Sequence, residues 1–118
     1  MTKDDIRAQL TAAGLDPDAI SGLIDAAIAE DLAGGVDVTT VATVPAEQRS
    51  QLDLVARAPG VVAGIPIAAL VFENVAASAG SPVDASQDRS DGDAVVAGDV
   101  LLSIRGRTRD LLTAERTA

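Results

Sequence analysis

Between Pro17 and Gly34 the residues Ile20, Leu23, Ile24, Ala27, Ile28 and Leu32 recur at intervals of three and four. That rhythm predicts an α-helix with a single apolar stripe. A one-sided helix is not a domain; its stripe demands a second layer to cover it. Asp16 reads as the N-cap of this helix and Pro17 as its first residue, where a missing N–H is no loss. Residues 2–13 repeat the plan on a smaller scale. Thr2 and Asp5 stand at capping-box spacing, Ile6, Leu10 and Ala13 share a face, and Gly14 is the stop.

Strand signals follow. From Gln51 to Ala58, Leu52, Leu54 and Ala56 alternate with Gln51, Asp53, Val55 and Arg57, as in a strand with one buried face. Pro59-Gly60 turns the chain into a brief second strand, Val61 to Ala63, that ends at Gly64. Pro66 opens another helix, which runs to Ala79 with Ile67, Leu70, Val71 and Phe72 or Val75 inward and Gly80 as its stop. From Ser81 the period becomes that of β structure. Strands are predicted over Pro82–Asp88 and Val100–Ile104, with turns at Ser90-Asp91-Gly92-Asp93 and, after Ala94-Val95-Val96, at Ala97-Gly98-Asp99. Helices, strands, a helix, more strands and a final helix make an α+β domain.

With 118 residues there is material for one core. That core is aliphatic, because Phe72 is the only aromatic residue. A formal charge of −9 argues against nucleic acid or an anionic membrane as a general partner. No apolar run approaches the length of a membrane span, and no apolar segment follows the first five residues, so neither a span nor a signal peptide is expected. With no cysteine, the expected location is the cytoplasm. The chain also lacks His, Trp and Tyr, and Lys3 is its only lysine. His/Cys metal sites, thiol nucleophiles, Ser-His triads and imidazole acid/base chemistry are therefore excluded. Glu30, Asp31 and Asp37 can be read as oxygen ligands for a divalent metal. They lack the spacing of a ligand loop, and the plainer account is a solvated turn capped by Asp37, Thr39 and Thr40.

The last eleven residues are distinct. Thr108 reads as an N-cap, Asp110 falls in a first turn, and helical spacing stacks Arg109, Leu112 and Arg116 on one face with Leu111 and Glu115 beside them. Arg105 and Arg107 lie just upstream, so residues 105–116 hold four of the nine basic residues against two of the eighteen acidic ones. A cationic island on an acidic chain suits an anion. Arg116 has two readings, a helix-end arginine that offsets the local dipole and a guanidinium that grips a carboxylate. For Arg105, Arg107 and Arg109 a solvated face is the plainer account, although Arg109 shares the Arg116 face and can line the same cleft.

Several stretches, in order, resemble one family. They are Glu30-Asp31 with Gly34-Gly35 and Asp37-Val38-Thr39-Thr40, Ala56-Arg57 with Gly60-Val61-Val62-Ala63-Gly64, Asp91-Gly92-Asp93 through Gly98-Asp99-Val100-Leu101-Leu102, and Leu111-Leu112-Thr113-Ala114-Glu115-Arg116-Thr117-Ala118. Together they are similar to the N-terminal domain of quinolinate phosphoribosyltransferase, also called nicotinate-nucleotide pyrophosphorylase (carboxylating). The resemblance implies an open, α/β-hammerhead-like domain over residues 1–118, with an antiparallel sheet flanked by helices. It implies that the catalytic α/β barrel, with its phosphoribosyl diphosphate and Mg²⁺ sites, lies outside these residues, and that the domain binds no cofactor and is inactive alone. The implied partners are quinolinate, phosphoribosyl diphosphate and a second subunit, over whose barrel the domain leans. The implied reaction yields nicotinate mononucleotide, diphosphate and CO₂ on the route to NAD. By the same resemblance Arg116 binds a quinolinate carboxylate in the partner's active site, aimed by a helix that Leu111 and Leu112 anchor. A molybdenum-transport-associated paralogue and a plain interaction domain are the alternatives. Lipoyl- and biotinyl-type carriers share the Asp-Gly-Asp…Gly-Asp pattern but need a lysine at a hairpin tip, where this chain has none.

Overall fold

The computed structural model describes residues 2–32 and 43–116. Two helices lead, α1 (Lys3–Ala12) and α2 (Pro17–Leu32), followed by strands β1 (Arg49–Val55) and β2 (Gly60–Val61). Helix α3 (Ile65–Ala79), strands β3 (Asp84–Gln87), β4 (Ala94–Val95) and β5 (Val100–Arg107), and helix α4 (Thr108–Glu115) complete the order. The fold is α+β, as the order of elements requires. The Gly34-Gly35 stop, the Asp37-Val38-Thr39-Thr40 turn and the last two residues of the terminal motif lie outside the described residues.

Strands β1, β5 and β3 form an antiparallel sheet in that order, and β2 pairs with β4 in a separate two-stranded piece. Register sorts the side chains. Leu52 faces Ile104 and Leu54 faces Leu102, while Ala85 of β3 lies on the other side of Ile104. These residues make the inner face, packed into one aliphatic cluster with Leu70, Phe72, Ile6 and Leu10. Helix α3 is apolar nearly all round because it is covered nearly all round, touching α1, α2, α4 and β5. Among the described residues no helix is long and apolar enough to cross a membrane.

Local chemistry accounts for the ends of the elements. The Thr2 hydroxyl accepts from the Asp5 N–H at 3.2 Å and the Asp5 carboxylate accepts from the Thr2 N–H at 3.0 Å, which completes the capping box. Asp16 accepts from the Asp18 N–H at 3.0 Å and so caps α2. Gly80 ends α3 with φ +68°, a left-handed conformation that disfavours any side chain. The start of α3 is unusual. Gly64 occupies the N-cap with no side chain to offer, and the acceptor comes from Asp91, whose carboxylate takes the Ile65 N–H at 2.9 Å. In the same hairpin Asp93 takes the Ser90 N–H at 2.8 Å, and in the next turn Asp99 takes the Val96 N–H at 2.9 Å. The Asp-Gly-Asp and Gly-Asp motifs are thus turn-makers.

Some expectations fail. Leu23 is 69 % exposed, so the α2 stripe is narrower than its spacing suggests, with Ile24 buried and Ile20 and Ile28 at its edges. Ala13 is exposed at the C-cap of α1. Strand β1 starts two residues before Gln51 and stops at Val55, where its register with β5 slips. Ala63 lies outside β2 because only Gly60 and Val61 find partners on β4.

Gly106, near the end of β5, is packed closely against Val83. A Cβ there would lie 2.7 Å from Val83 Cγ1 and 3.7 Å from Leu111 Cδ2. Gly106→Ala should therefore lower stability in urea by about 1–3 kcal/mol, the usual cost of overpacking. Adding Val83→Ala should return part of that loss; a single mutant as stable as wild type would show that Val83 yields freely.

Candidate functional site

The cationic residues collect where β5 ends and α4 begins. No residue separates Arg107, the last of β5, from Thr108, the first of α4. The sequence points to Thr108 as the N-cap, but Thr108 is the first helical residue and Arg107 holds the N-cap position without a side-chain cap. The Thr108 hydroxyl instead meets Ser50 Oγ at 2.5 Å, and its N–H donates to the Gln48 carbonyl at 2.9 Å. Both contacts tie the first turn of α4 to the start of β1.

Antiparallel register adds a residue that sequence reasoning missed. Arg49 stands directly opposite Arg107, and Gln51 opposite Arg105, all on the outer face of the sheet. With Arg109 in the first turn of α4, four of the nine basic residues gather at this corner, and Arg116 caps the far end of the helix. No local pattern marks Arg49; only the pairing of distant strands brings it in. Like charges facing each other across a ladder destabilise it unless a counter-charge is near. Asp110 supplies that charge, 6 % exposed, with Oδ2 3.8 Å from Arg107 Nε. Neither atom has a hydrogen-bond partner, so this is an ion pair held at a distance. Arg107 is consequently half-buried rather than on the solvated face expected for it.

The other arginines are distributed as follows. Arg105 is exposed, its Nε donating to Gln51 Oε1 at 2.9 Å. Gln51 in turn donates to Asp53 at 3.0 Å, and this bond, with Ser103 and Arg105 nearby, holds the Asp53 carboxyl below the usual carboxylate range. Arg109 is half-buried and donates from Nε to the Val44 carbonyl at 2.6 Å, so it clamps the chain ahead of β1. Arg116 is exposed at the C-cap of α4, where φ −64° and ψ −30° keep the backbone helical. Arg109 and Arg116 share the outer face of α4, two turns apart. Leu111 and Ala114 are buried on the inner face. Leu112, expected as a second anchor, is 37 % exposed on the Arg116 side, so Leu111 anchors the helix without it.

This arrangement can hold an anion. It has no nucleophile activated by a base, and among the described residues no group of three or more acidic side chains gathers to hold a metal. Asp37 of the Glu30/Asp31/Asp37 set lies outside the described residues.

The model of the quinolinate phosphoribosyl transferase N-terminal domain matches residues 37–118. The chain belongs to the quinolinate phosphoribosyltransferase family. It is 42 % identical over 100 residues to the nicotinate-nucleotide pyrophosphorylase [carboxylating] of Mycobacterium leprae, covering 85 % of this chain and 34 % of that protein. It is 33 % identical over 97 residues to quinolinate phosphoribosyltransferase [decarboxylating] 1 of Nicotiana glauca, covering 82 % of this chain and 27 % of that protein. The crystal structure of NadC from Streptococcus pyogenes superposes with a TM-score of 0.78 at 32 % identity, over 87 % of this chain and 35 % of that one. The chain thus spans about a third of the length of the relatives it matches. In family terms the arginine corner is a feature of the N-terminal domain, built from β1, β5 and α4.

Burial pushes the Asp110 carboxyl above the usual carboxylate range, and Arg107 and Arg49 offset this only in part. The folded state therefore holds this proton more tightly than the unfolded chain. Its contribution to stability is full below the unfolded pKa and is lost as pH rises through the raised folded value. Urea denaturation from about pH 4 to about pH 6, where a raised carboxyl titrates, should show Asp110→Asn gaining on wild type as pH increases. A difference independent of pH would mean that the carboxyl is unperturbed.

Proposed function

We propose that this chain is the N-terminal, substrate-binding and dimer-forming part of an enzyme that joins quinolinate to phosphoribosyl diphosphate. The pyridine nitrogen attacks the anomeric carbon and diphosphate leaves. The 2-carboxylate departs as CO₂ and a proton takes its place on the ring. Nicotinate mononucleotide results, on the route to NAD. The observation that carries this reading is the placement of Arg116. It is an exposed guanidinium at the end of a short helix fixed to the sheet by Leu111, and that helix starts from a corner that concentrates positive charge on an acidic chain.

Arg116 presents a rigid fork of donors to one carboxylate of the dianionic substrate, and it keeps its charge at any physiological pH. Its task is positioning. A dianionic pyridine beside a polyphosphate is repelled, and a fixed cation holds it in reach of the sugar. Arg109 is a secondary contact; its clamp on Val44 leaves it the better placed of the two to fix the cleft wall. No bond is made or broken by a group of this domain, so the domain is inactive alone. Mg²⁺ and the phosphoribosyl diphosphate belong to a catalytic barrel outside these residues, and Arg116 acts across a homodimer interface on the partner's barrel. The similarity to nicotinate-nucleotide pyrophosphorylase and quinolinate phosphoribosyltransferase favours quinolinate over a molybdenum-associated role. The cysteine-free composition suits the cytoplasm.

In the enzyme that joins this domain to its barrel, Arg116→Ala should weaken quinolinate binding about 10- to 100-fold, the worth of a charge-assisted hydrogen bond of roughly 1.5–3 kcal/mol. Phosphoribosyl diphosphate affinity should stay near wild type, and Arg116→Lys should recover part of the loss. Calorimetric titration of each substrate separates these outcomes; unchanged quinolinate affinity removes Arg116 from the site.

A further inference from the structure

A groove of about 450 Å³ opens between α1, α2 and α3, away from the arginine corner, lined by Lys3, Arg7, Ser21, Asp25, Asn74 and Ser78. That volume falls in the range of small-molecule sites. Helix α3 is otherwise apolar where it is buried, yet Asn74 stands in the middle of it, 5 % exposed. Its Nδ2 reaches Asp25 Oδ1 at 3.3 Å and Ser21 Oγ at 3.4 Å, both on α2. Its Oδ1 is buried without a hydrogen-bond partner. The amide cannot turn over to cure this, because an ionised Asp25 only accepts and so holds Nδ2 toward itself. A buried carbonyl is normally matched by a donor. The groove's own side chains do not provide one: Asn74 Oδ1 has no partner, and Ser78 Oγ donates to the Asn74 backbone carbonyl at 3.1 Å instead.

We propose that this groove binds a small zwitterion of the free amino-acid type. Its ammonium donates to Asn74 Oδ1 and to the Asp25 carboxylate, and its carboxylate faces the ammonium of Lys3 and the guanidinium of Arg7 on α1. Lys3 makes no ion pair among the described residues, although Glu73 lies within its electrostatic reach. A bare cation is disfavoured by Lys3 and Arg7, and a simple anion by Asp25. A single water would satisfy Asn74 Oδ1 while using none of the three charges. A zwitterion uses the buried acceptor and both signs of charge, and it links α1 to α3 across α2. This inference is independent of the role proposed for Arg116.

The test is an NMR titration of the ¹⁵N-labelled 118-residue protein with L-alanine, against ethylamine, propionate and sodium chloride. Saturable shifts of the Asn74 side-chain amide and of Lys3 and Ser78 are expected with L-alanine, with affinity for either half-molecule at least tenfold lower. Asp25→Asn, a change at an exposed carboxylate, should weaken L-alanine binding at least tenfold with the spectrum still that of the folded protein. Asn74→Leu should abolish binding; should that variant unfold, Asp25→Asn decides alone. Shifts no larger than those from sodium chloride, or wild-type affinity in Asp25→Asn, would overturn the proposal and leave a buried water as the partner of Asn74.

Discussion

The direct passage from β5 into α4 is the constraint on which the functional end of the molecule depends. A connecting loop would let the helix tilt on its own. Here Arg107 closes the strand, Thr108 opens the helix, and the direction of the sheet sets the direction of α4. Two contacts to the start of β1, from the Thr108 hydroxyl and N–H, brace the junction from the second strand. Gly106 lets Val83 and Leu111 close over it from the inner side. The exposed arginine at the far end of α4 is thereby held by the sheet through two turns of helix. Rigid elements hold a binding group more closely than loops do, and here the rigidity begins one residue before the helix.

Acidic residues have divided duties in this fold. Asp91, Asp93 and Asp99 cap backbone N–H groups in the turns around the small sheet, each accepting where a helix or hairpin would otherwise leave a donor bare. Asp110 is the buried carboxylate placed beside Arg107. Its one contact with Arg107, between two atoms that lack hydrogen-bond partners, shows that charge, more than hydrogen bonding, decides its position. An exposed acid at the same place would be screened by solvent and would offset the Arg49–Arg107 pair less.

The parts of the fold that rest on local chemistry were legible in the sequence. Thr2 and Asp5, Gly14, Asp16-Pro17 and Gly80 mark helix ends through bonds or dihedrals confined to a few residues, and Leu52 and Leu54 alternate because a strand leaves no other choice. What escaped depends on distant partners. Leu23 sits at helical spacing yet faces solvent, since the layer beneath α2 is too narrow to cover it. Leu112 is one position round the helix from Leu111, and only the sheet decides which of the two is covered. Arg49 joins the candidate site through strand pairing across more than fifty residues of chain, and Thr108 gives up a capping role because Ser50 is there to meet it. Arg116 was legible through the motif that surrounds it, which composition and periodicity alone could not interpret.

The acceptor that starts α3 comes from a hairpin 26 residues further along the chain. Opening that hairpin would strip the first amide of the central helix of its partner, and the same helix carries Leu70 and Phe72 into the core. Detaching the two-stranded piece would therefore cost the central helix its N-terminal cap. Small as it is, the piece is tied to the interior through the start of that helix.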